Sequence, residues 1–179
     1  MREPTIARNY AEALFQVGER GGHTALFADL MEGLSAAIET EDRVRHVLES
    51  PRVPKKTKQD ILARAFAGLA PETFVRFLGA VVKRGRQGII GAICRQYLQL
   101  VDDKFNRVHA GVTLAREPDR VLQDLIERRL SDILKKQVIP HYRTDPEILG
   151  GLVIRVGDRI MDGSVRRRMV ALRRKLLGV

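Results

Sequence analysis

Gly150-Gly151-Leu152-Val153-Ile154-Arg155-Val156-Gly157-Asp158-Arg159-Ile160-Met161-Asp162-Gly163-Ser164-Val165 carries the strictest punctuation in this chain. Leu152, Ile154 and Val156 alternate with Val153 and Arg155, the period of a strand with one buried face. Gly157-Asp158 is a tight-turn pair, because Gly and Asp tolerate unusual φ. Ile160 lies on a short return strand. Asp162 or Ser164 is placed to cap the orphan amides of a last helix. The stretch holds no nucleophile–base pair and no metal-ligand cluster, so its strict order points to an assembly part. Asp158 and Asp162 are the best candidates for catalytic carboxylates, and the turn and the cap account for both without catalysis.

The preceding segments extend the same small unit. Val108, Ala110, Val112 and Leu114 alternate with His109, Gly111, Thr113 and Ala115, a second strand signal. Pro118 opens a helix carrying Val121, Leu122, Leu125, Ile126, Leu130, Ile133 and Leu134, and an extended piece runs from Val138 to Arg143. The final helix is expected to turn Val165, Met169, Leu172 and Leu176 inward. Residues 106–179 therefore read as a small α+β domain with a short sheet.

Upstream the period is helical throughout. The first stripe is Ile6, Tyr10, Ala13, Leu14 and Val17, stopped by Gly21-Gly22. Leu26, Leu30, Leu34 and Ile38 make the second, and Val44, Val47 and Leu48 a short third ended by Ser50-Pro51. Ile61, Leu62, Ala65, Phe66 and Leu69 follow Pro54. Pro71 starts a fifth helix with Phe74, Phe77, Leu78, Val81 and Val82, ended at Gly85. A sixth carries Ile90, Ile93, Tyr97, Val101 and Phe105. Residues 1–105 thus predict an N-terminal six-helix bundle, and the fold class is a helical domain followed by an α+β domain. No Ser/Gly linker marks the join near residues 105–107.

Composition narrows the function. The chain has 179 residues, 44% hydrophobic and 30% charged, and a formal net charge of +10. Its mean hydropathy is −0.18, and no run approaches the ~18 apolar residues of a membrane span. The N-terminus has no apolar signal region, which predicts a cytosolic or cytosol-facing protein. The basic excess is +4 over residues 1–110 and +6 over residues 111–179. From Ser164 onward six Arg and Lys residues meet no acid. Such charge suits nucleic acid, anionic lipid or an acidic protein, or is simply a solvated face.

Little else is chemical. There is no Gly-Lys-Ser/Thr cradle, and Gly150-Gly151 precedes a strand instead of following one. His23, His46, His109 and His141 show no metal-ligand spacing with one another or with Cys94, and no cofactor is expected. Cys94, beside Ile93 and near Tyr97, reads as packing. Aromatics are 5% and Trp is absent, so the base-stacking platform of an RNA binder is missing. In the first helix Ala7, Ala11 and Phe15 lie outside the apolar stripe, and in the fifth Val75 and Ala80 do. Either both helices are central in the bundle, or a groove between them accepts a partner's amphipathic helix.

Three stretches resemble one family, the delta subunit of the bacterial F-type ATP synthase, whose mitochondrial counterpart is the oligomycin-sensitivity-conferring protein. Ile6-Ala7-Arg8-Asn9-Tyr10-Ala11-Glu12-Ala13-Leu14-Phe15 is similar to its opening. Lys83-Arg84-Gly85-Arg86 is similar to its turn between helices five and six. Gly151, Ile154, Gly157, Asp158, Asp162, Gly163 and Ser164 fall as in its C-terminal motif. The resemblance spans essentially the whole chain and implies a non-catalytic stator. By it, the N-terminal domain caps the catalytic head and receives the N-terminal helix of an alpha subunit on Ile6, Tyr10, Ala13, Leu14, Phe74, Phe77, Leu78 and Val81. The C-terminal domain meets the b subunits of the peripheral stalk, so that proton-driven rotation is coupled to ATP synthesis. The implied place is the cytoplasmic face of the bacterial plasma membrane, with membrane association only through the complex and no nucleic-acid partner. The alternative from another class is a basic RNA-binding or ribosome-associated adaptor. The last helix is more Arg-rich than the family leads one to expect.

Overall fold

The computed structural model describes residues 3–177. Its contacts divide it into two compact units, residues 1–102 and residues 103–179. Six α-helices come before the first strand: α1 (Glu3–Gly21), α2 (Thr24–Thr40), α3 (Asp42–Glu49), α4 (Lys55–Ala65), α5 (Glu72–Lys83) and α6 (Ile90–Lys104). Then follow β1 (Arg107–Leu114), α7 (Arg120–Leu134), β2 (Gln137–Thr144), β3 (Leu152–Val156), β4 (Arg159–Asp162) and α8 (Val165–Leu177). The chain is thus helical with one small four-stranded sheet.

In the first unit α5 and α6 bury the stripes that the periodicity predicts, whereas the core-facing stripes of α1 and α2 are turned by about one position. The buried residues of α1 are Ala7, Ala11, Leu14 and Gly18. Ile6 and Tyr10 are half-buried, and Ala13 and Val17 are exposed. The reason is close approach. A Cβ on Gly18 would stand 3.0 Å from the Tyr97 hydroxyl and 3.3 Å from the Thr24 Cα, so small residues face inward where the helices touch. In α2 the inner face is Phe27, Ala28, Met31 and Leu34, while Leu26 is exposed. Phe27 stacks obliquely on Phe74 with ring centroids 5.2 Å apart, and Phe66 meets Phe74 edge-on at 5.4 Å. Leu69 and Phe105, expected to extend the stripes of α4 and α6, lie beyond those helices and are exposed. Phe105 instead lies under the Arg107 guanidinium, 4.9 Å from its ring centre.

Polar side chains fix where α5 sits. Gln59 of α4 donates to the Gly79 carbonyl at 2.7 Å, and the Lys55 ammonium to the Lys83 carbonyl at 3.0 Å. Lys58, although buried, donates to the Ser50 carbonyl at 2.8 Å, which satisfies a charge that burial would otherwise penalise. The Tyr97 hydroxyl donates to the Thr24 carbonyl at 3.0 Å deep in the core, and burial raises its phenol well above the ordinary value.

In the second unit the strand order is β2-β1-β3-β4. β1 and β2 run parallel with α7 as their crossover, whereas β1–β3 and β3–β4 are antiparallel. Ala110, Val112 and Leu114 of β1, Val138 of β2 and Ile154 of β3 share one core with Ile126 and Leu130 of α7. Asp119 caps α7, accepting from the Leu122 amide at 2.8 Å. Asn106, at φ 51, clasps the far end by donating its side-chain amide to the Lys135 carbonyl at 3.1 Å. Val121, Leu125 and Ile133 of α7 stay exposed. So does α8: none of its described residues is buried, and Val165, Met169, Leu172 and Leu176 are not an inner face. The other elements of this unit close their core without it.

Candidate docking surfaces

The first surface is the outer side of α1 and α5. Rotating the buried stripe of α1 onto Ala7, Ala11, Leu14 and Gly18 leaves Ile6, Tyr10, Ala13 and Val17 as a second apolar row, at helical spacing, on the outside. On α5, Phe74, Leu78, Val81 and Val82 are buried, and Phe77 is half-buried beside them. Tyr10 and Phe77 meet edge to face, with centroids 6.2 Å apart and planes at 72°, the geometry that aromatic quadrupoles favour. Of the eight residues expected to bind a partner helix, Ile6, Tyr10, Ala13 and Phe77 therefore present surface. Leu14, Phe74, Leu78 and Val81 are fully enclosed and form the floor beneath it. A depression of about 330 Å³ continues this face, lined by Ile6, Asn9, Tyr10, Arg84 and Arg86. The Lys83-Arg84-Gly85-Arg86 turn thus brings two cations to Tyr10. Gly85 makes this possible by taking φ +68, a neighbourhood that no spacing in the sequence announces.

A second apolar depression, about 530 Å³, opens among α2, α3 and α4 beside Leu30, Ala37, Val44, Val47, Ile61 and Phe66. The stripes of three separate helices contribute to it, which is why no single stretch of sequence announces it.

The Gly150–Val165 stretch builds a third feature. Gly157 and Asp158 join β3 to β4, with Val156 opposite Arg159. Only Gly157 takes a positive φ, +57, the pattern of a turn with Gly at its first central position. Gly151, at φ +73, lies so close to the returning chain that a Cβ there would stand 2.5 Å from the Gly163 carbonyl oxygen. The contact is sealed by backbone bonds of 3.0 Å from the Gly163 amide to the Leu152 carbonyl and from the Val165 amide to the Gly150 carbonyl. Ser164 caps α8, its hydroxyl accepting from the Arg167 amide at 3.1 Å, and Asp162 accepts from the Ser164 amide at 2.9 Å. These bonds from the Ser164 hydroxyl and amide hold the Asp162 carboxyl below its ordinary range, with Arg167 adding a smaller push. Ile154 sits in the core, while Asp158 is exposed at the hairpin tip. Gly151, Ile154, Gly157, Asp162, Gly163 and Ser164 thus each have a structural task.

Among the described residues no cluster of three or more His, Cys, Asp or Glu side chains is arranged to hold a metal ion, and no helix is long and apolar enough to cross a membrane. Cys94 is buried, and burial raises its thiol, outweighing a hydrogen bond from Ser35. Exposed apolar rows, cationic rims and a backbone motif devoted to shape define an assembly protein, one whose chemistry is contact.

The comparisons place it among such proteins. A family model described as the ATP synthase delta (OSCP) subunit matches residues 6–176. An ATP synthase subunit delta from Gemmatimonas aurantiaca is 41% identical over 174 residues, covering 97% of this chain and 94% of the relative. Subunits of the same description from Desulforudis audaxviator and Chlorobium phaeovibrioides are 32% and 31% identical, covering 97% and 100% of this chain and 95% and 99% of theirs. A chain in the cryo-EM structure of the Toxoplasma gondii mitochondrial ATP synthase hexamer shares the fold with a TM-score of 0.70 at 18% identity, covering 96% of this chain and 97% of its own. The chain belongs to the ATP synthase delta (OSCP) subunit family: it is a structural, non-catalytic stator subunit of the peripheral stalk. None of these relatives supports an RNA-binding adaptor.

Proposed function

We propose that the six helices of residues 1–105 form a bundle that caps the catalytic head, with the N-terminal helix of an alpha subunit lying along α1 and α5. Residues 106–179 hold the b subunits at the far end of the stalk. The subunit then keeps the head from turning with the rotor, so that proton-driven rotation is spent on ATP synthesis. Its place is the cytoplasmic face of the bacterial plasma membrane, as a peripheral component held there by the complex. Each contact needs only helix-sized affinity, because engagement at one end raises the effective concentration at the other.

The observation that carries this reading is the outer apolar row Ile6–Tyr10–Ala13, joined to α5 by the Tyr10–Phe77 edge contact. Ile6, Tyr10, Ala13 and Phe77 touch the incoming helix, and Leu14, Phe74, Leu78 and Val81 support them from below. The test is titration of a peptide of the alpha-subunit N-terminus into the full chain by calorimetry. A carboxylate placed in an apolar contact loses the burial gain of that contact and adds a desolvation cost. Tyr10→Asp and Ala13→Asp should each weaken binding about tenfold or more, and wild-type affinity in both variants would refute the assignment.

A further inference from the structure

His109 and His141 are 32 residues apart in the sequence, and no spacing rule connects them. The sheet does. β1 and β2 are parallel neighbours, with His109 opposite Ile139 and Gly111 opposite His141. Side chains alternate along a strand, so these four residues share one face, and the two histidines are diagonal neighbours on it. Ala110, Val112 and Val138 point the other way, into the core. Both histidines are exposed, and Gly111 adds no side chain beside them.

The two rings meet edge to edge. His109 Nδ1 and His141 Nε2 are 2.8 Å apart, the ring centroids 5.0 Å apart, and the planes differ by 18°. With the centroids so much farther apart than the nitrogens, the nitrogens lie between the ring centres, each aimed at the other. Such a bond uses one hydrogen and one lone pair. When the donor ring carries its hydrogen on its other nitrogen, two lone pairs of neutral imidazoles face one point, which is what a metal ion requires. Two imidazole nitrogens held about 2.0–2.1 Å from one ion stand about 2.9–3.4 Å apart at bond angles of about 90–110°. From 2.8 Å the pair has to open by only about 0.1–0.6 Å, a small tilt for exposed side chains.

We propose that His109 and His141 form a two-imidazole chelate for a divalent transition-metal ion, with water in the remaining coordination positions. Donor chemistry sets the choice of ion. Imidazole suits Cu2+, Ni2+ and Zn2+, with Cu2+ bound most tightly, whereas Mg2+ and Ca2+ want oxygen ligands. Arg107 and Arg143 share this face and oppose any cation. Arg107 is engaged elsewhere, with its Nε donating to Gln137 Oε1 at 3.1 Å and its guanidinium over the Phe105 ring. The site is open to water, where repulsion between charges is small. Its consequence is mechanical: β2 lies at the edge of the sheet, and a shared ion ties it to β1 from the open side. This inference is independent of how the second unit meets the stalk.

The test uses the full chain without an affinity tag, in a buffer that does not coordinate metals. Calorimetric titration with NiCl2, ZnCl2 and CuCl2 should show a single saturable site, tightest for Cu2+, and titration with MgCl2 or CaCl2 should show none. His109→Ala and His141→Ala should each lower the Ni2+ affinity about tenfold or more, while His46→Ala leaves it unchanged. Circular dichroism should be the same for all three variants. In the parent chain, paramagnetic Cu2+ should broaden the amide signals of Gly111 and Ile139 before those of other residues. Saturating Zn2+ should slow amide exchange along β2 in the parent and not in His141→Ala. Unchanged Ni2+ affinity in both β-strand variants, or broadening centred on His23 or His46, would overturn the proposal. So would failure of the parent to bind any of the three ions. Loss in only one of the two variants would reduce the site to a lone imidazole, and equal binding of Mg2+ would make it general charge attraction; either result also overturns the chelate.

Discussion

Replacing Gly151 with alanine should cost about three times what the same change costs at Gly157, although both lie on one hairpin. Both positions have a left-handed φ, +73 and +57, so each variant incurs about 1–2 kcal/mol of backbone strain. At Gly157 nothing lies within 4 Å of a new Cβ, and the strain is the whole effect. At Gly151 the methyl would stand 2.5 Å from the Gly163 carbonyl oxygen and 3.3 Å from the Ser164 Cα. These are backbone atoms and cannot swing aside. Relief means parting the strands, which gives up the Gly163–Leu152 and Val165–Gly150 bonds at about 1 kcal/mol each. Losing the Ser164 cap would cost roughly another 1 kcal/mol. The total is about 4–5 kcal/mol, a large share of the ~5–15 kcal/mol that holds a typical domain together. Two units need not unfold together, so the assay should report on this one alone. Amide hydrogen exchange at Val112 and Val138, buried in its core, measures its opening free energy directly. Equal losses in protection for Gly151→Ala and Gly157→Ala would refute the close-approach account.

Three further outcomes follow from the buried and capping groups. Tyr97→Phe removes the hydrogen bond to the Thr24 carbonyl and should destabilise the first unit by about 1 kcal/mol in urea titrations. Because burial raises the Tyr97 phenol, the folded chain keeps a proton that the unfolded chain releases. Stability should therefore be full below about pH 10 and fall above it, more steeply in the parent than in Tyr97→Phe. The Asp162 carboxyl is held low by Ser164, so its contribution is full above about pH 4 and disappears as pH falls through its lowered value. An acid titration followed by circular dichroism should accordingly be flatter for Asp162→Asn. Cys94, buried with a raised thiol, should react with a disulfide reagent at pH 8 only slowly until denaturant is added, and rapid reaction in the folded chain would contradict that burial.

The sequence was legible where one rule governed each residue. The Gly157-Asp158 hairpin, the Pro71 start of α5, the Gly21-Gly22 stop and the alternation of β1 all follow from local backbone preference, and the structure places them accordingly. Helix faces were less legible, because periodicity reveals that a stripe exists and not which of two stripes turns inward. On α1 hydrophobicity points to Ile6, Tyr10, Ala13, Leu14 and Val17, yet of these only Leu14 joins Ala7, Ala11 and Gly18 on the buried side, where Gly18 closes against Tyr97 and Thr24. A helix with two apolar rows in a unit that buries only one has a row left for something else. On α8 the periodicity likewise points Val165, Met169, Leu172 and Leu176 at its own domain, yet none of them is buried. Sheet order was not legible at all: that β2 lies parallel to β1, outside the β3–β4 hairpin, depends on how α7 packs across the sheet. The nearness of Arg84 and Arg86 to Tyr10 likewise comes from tertiary placement.

The exposed tip of the β3–β4 hairpin and the buried Cys94 together give the chain an experimental convenience. Its single native thiol is shielded, so a cysteine introduced at Asp158 would be the one that labelling reagents reach first. A fluorophore or spin label could then be placed at a single defined point without mutating Cys94. Attached to a turn whose neighbours leave Gly157 open space, such a probe would follow the subunit through assembly and under torque while leaving the docking faces uncovered.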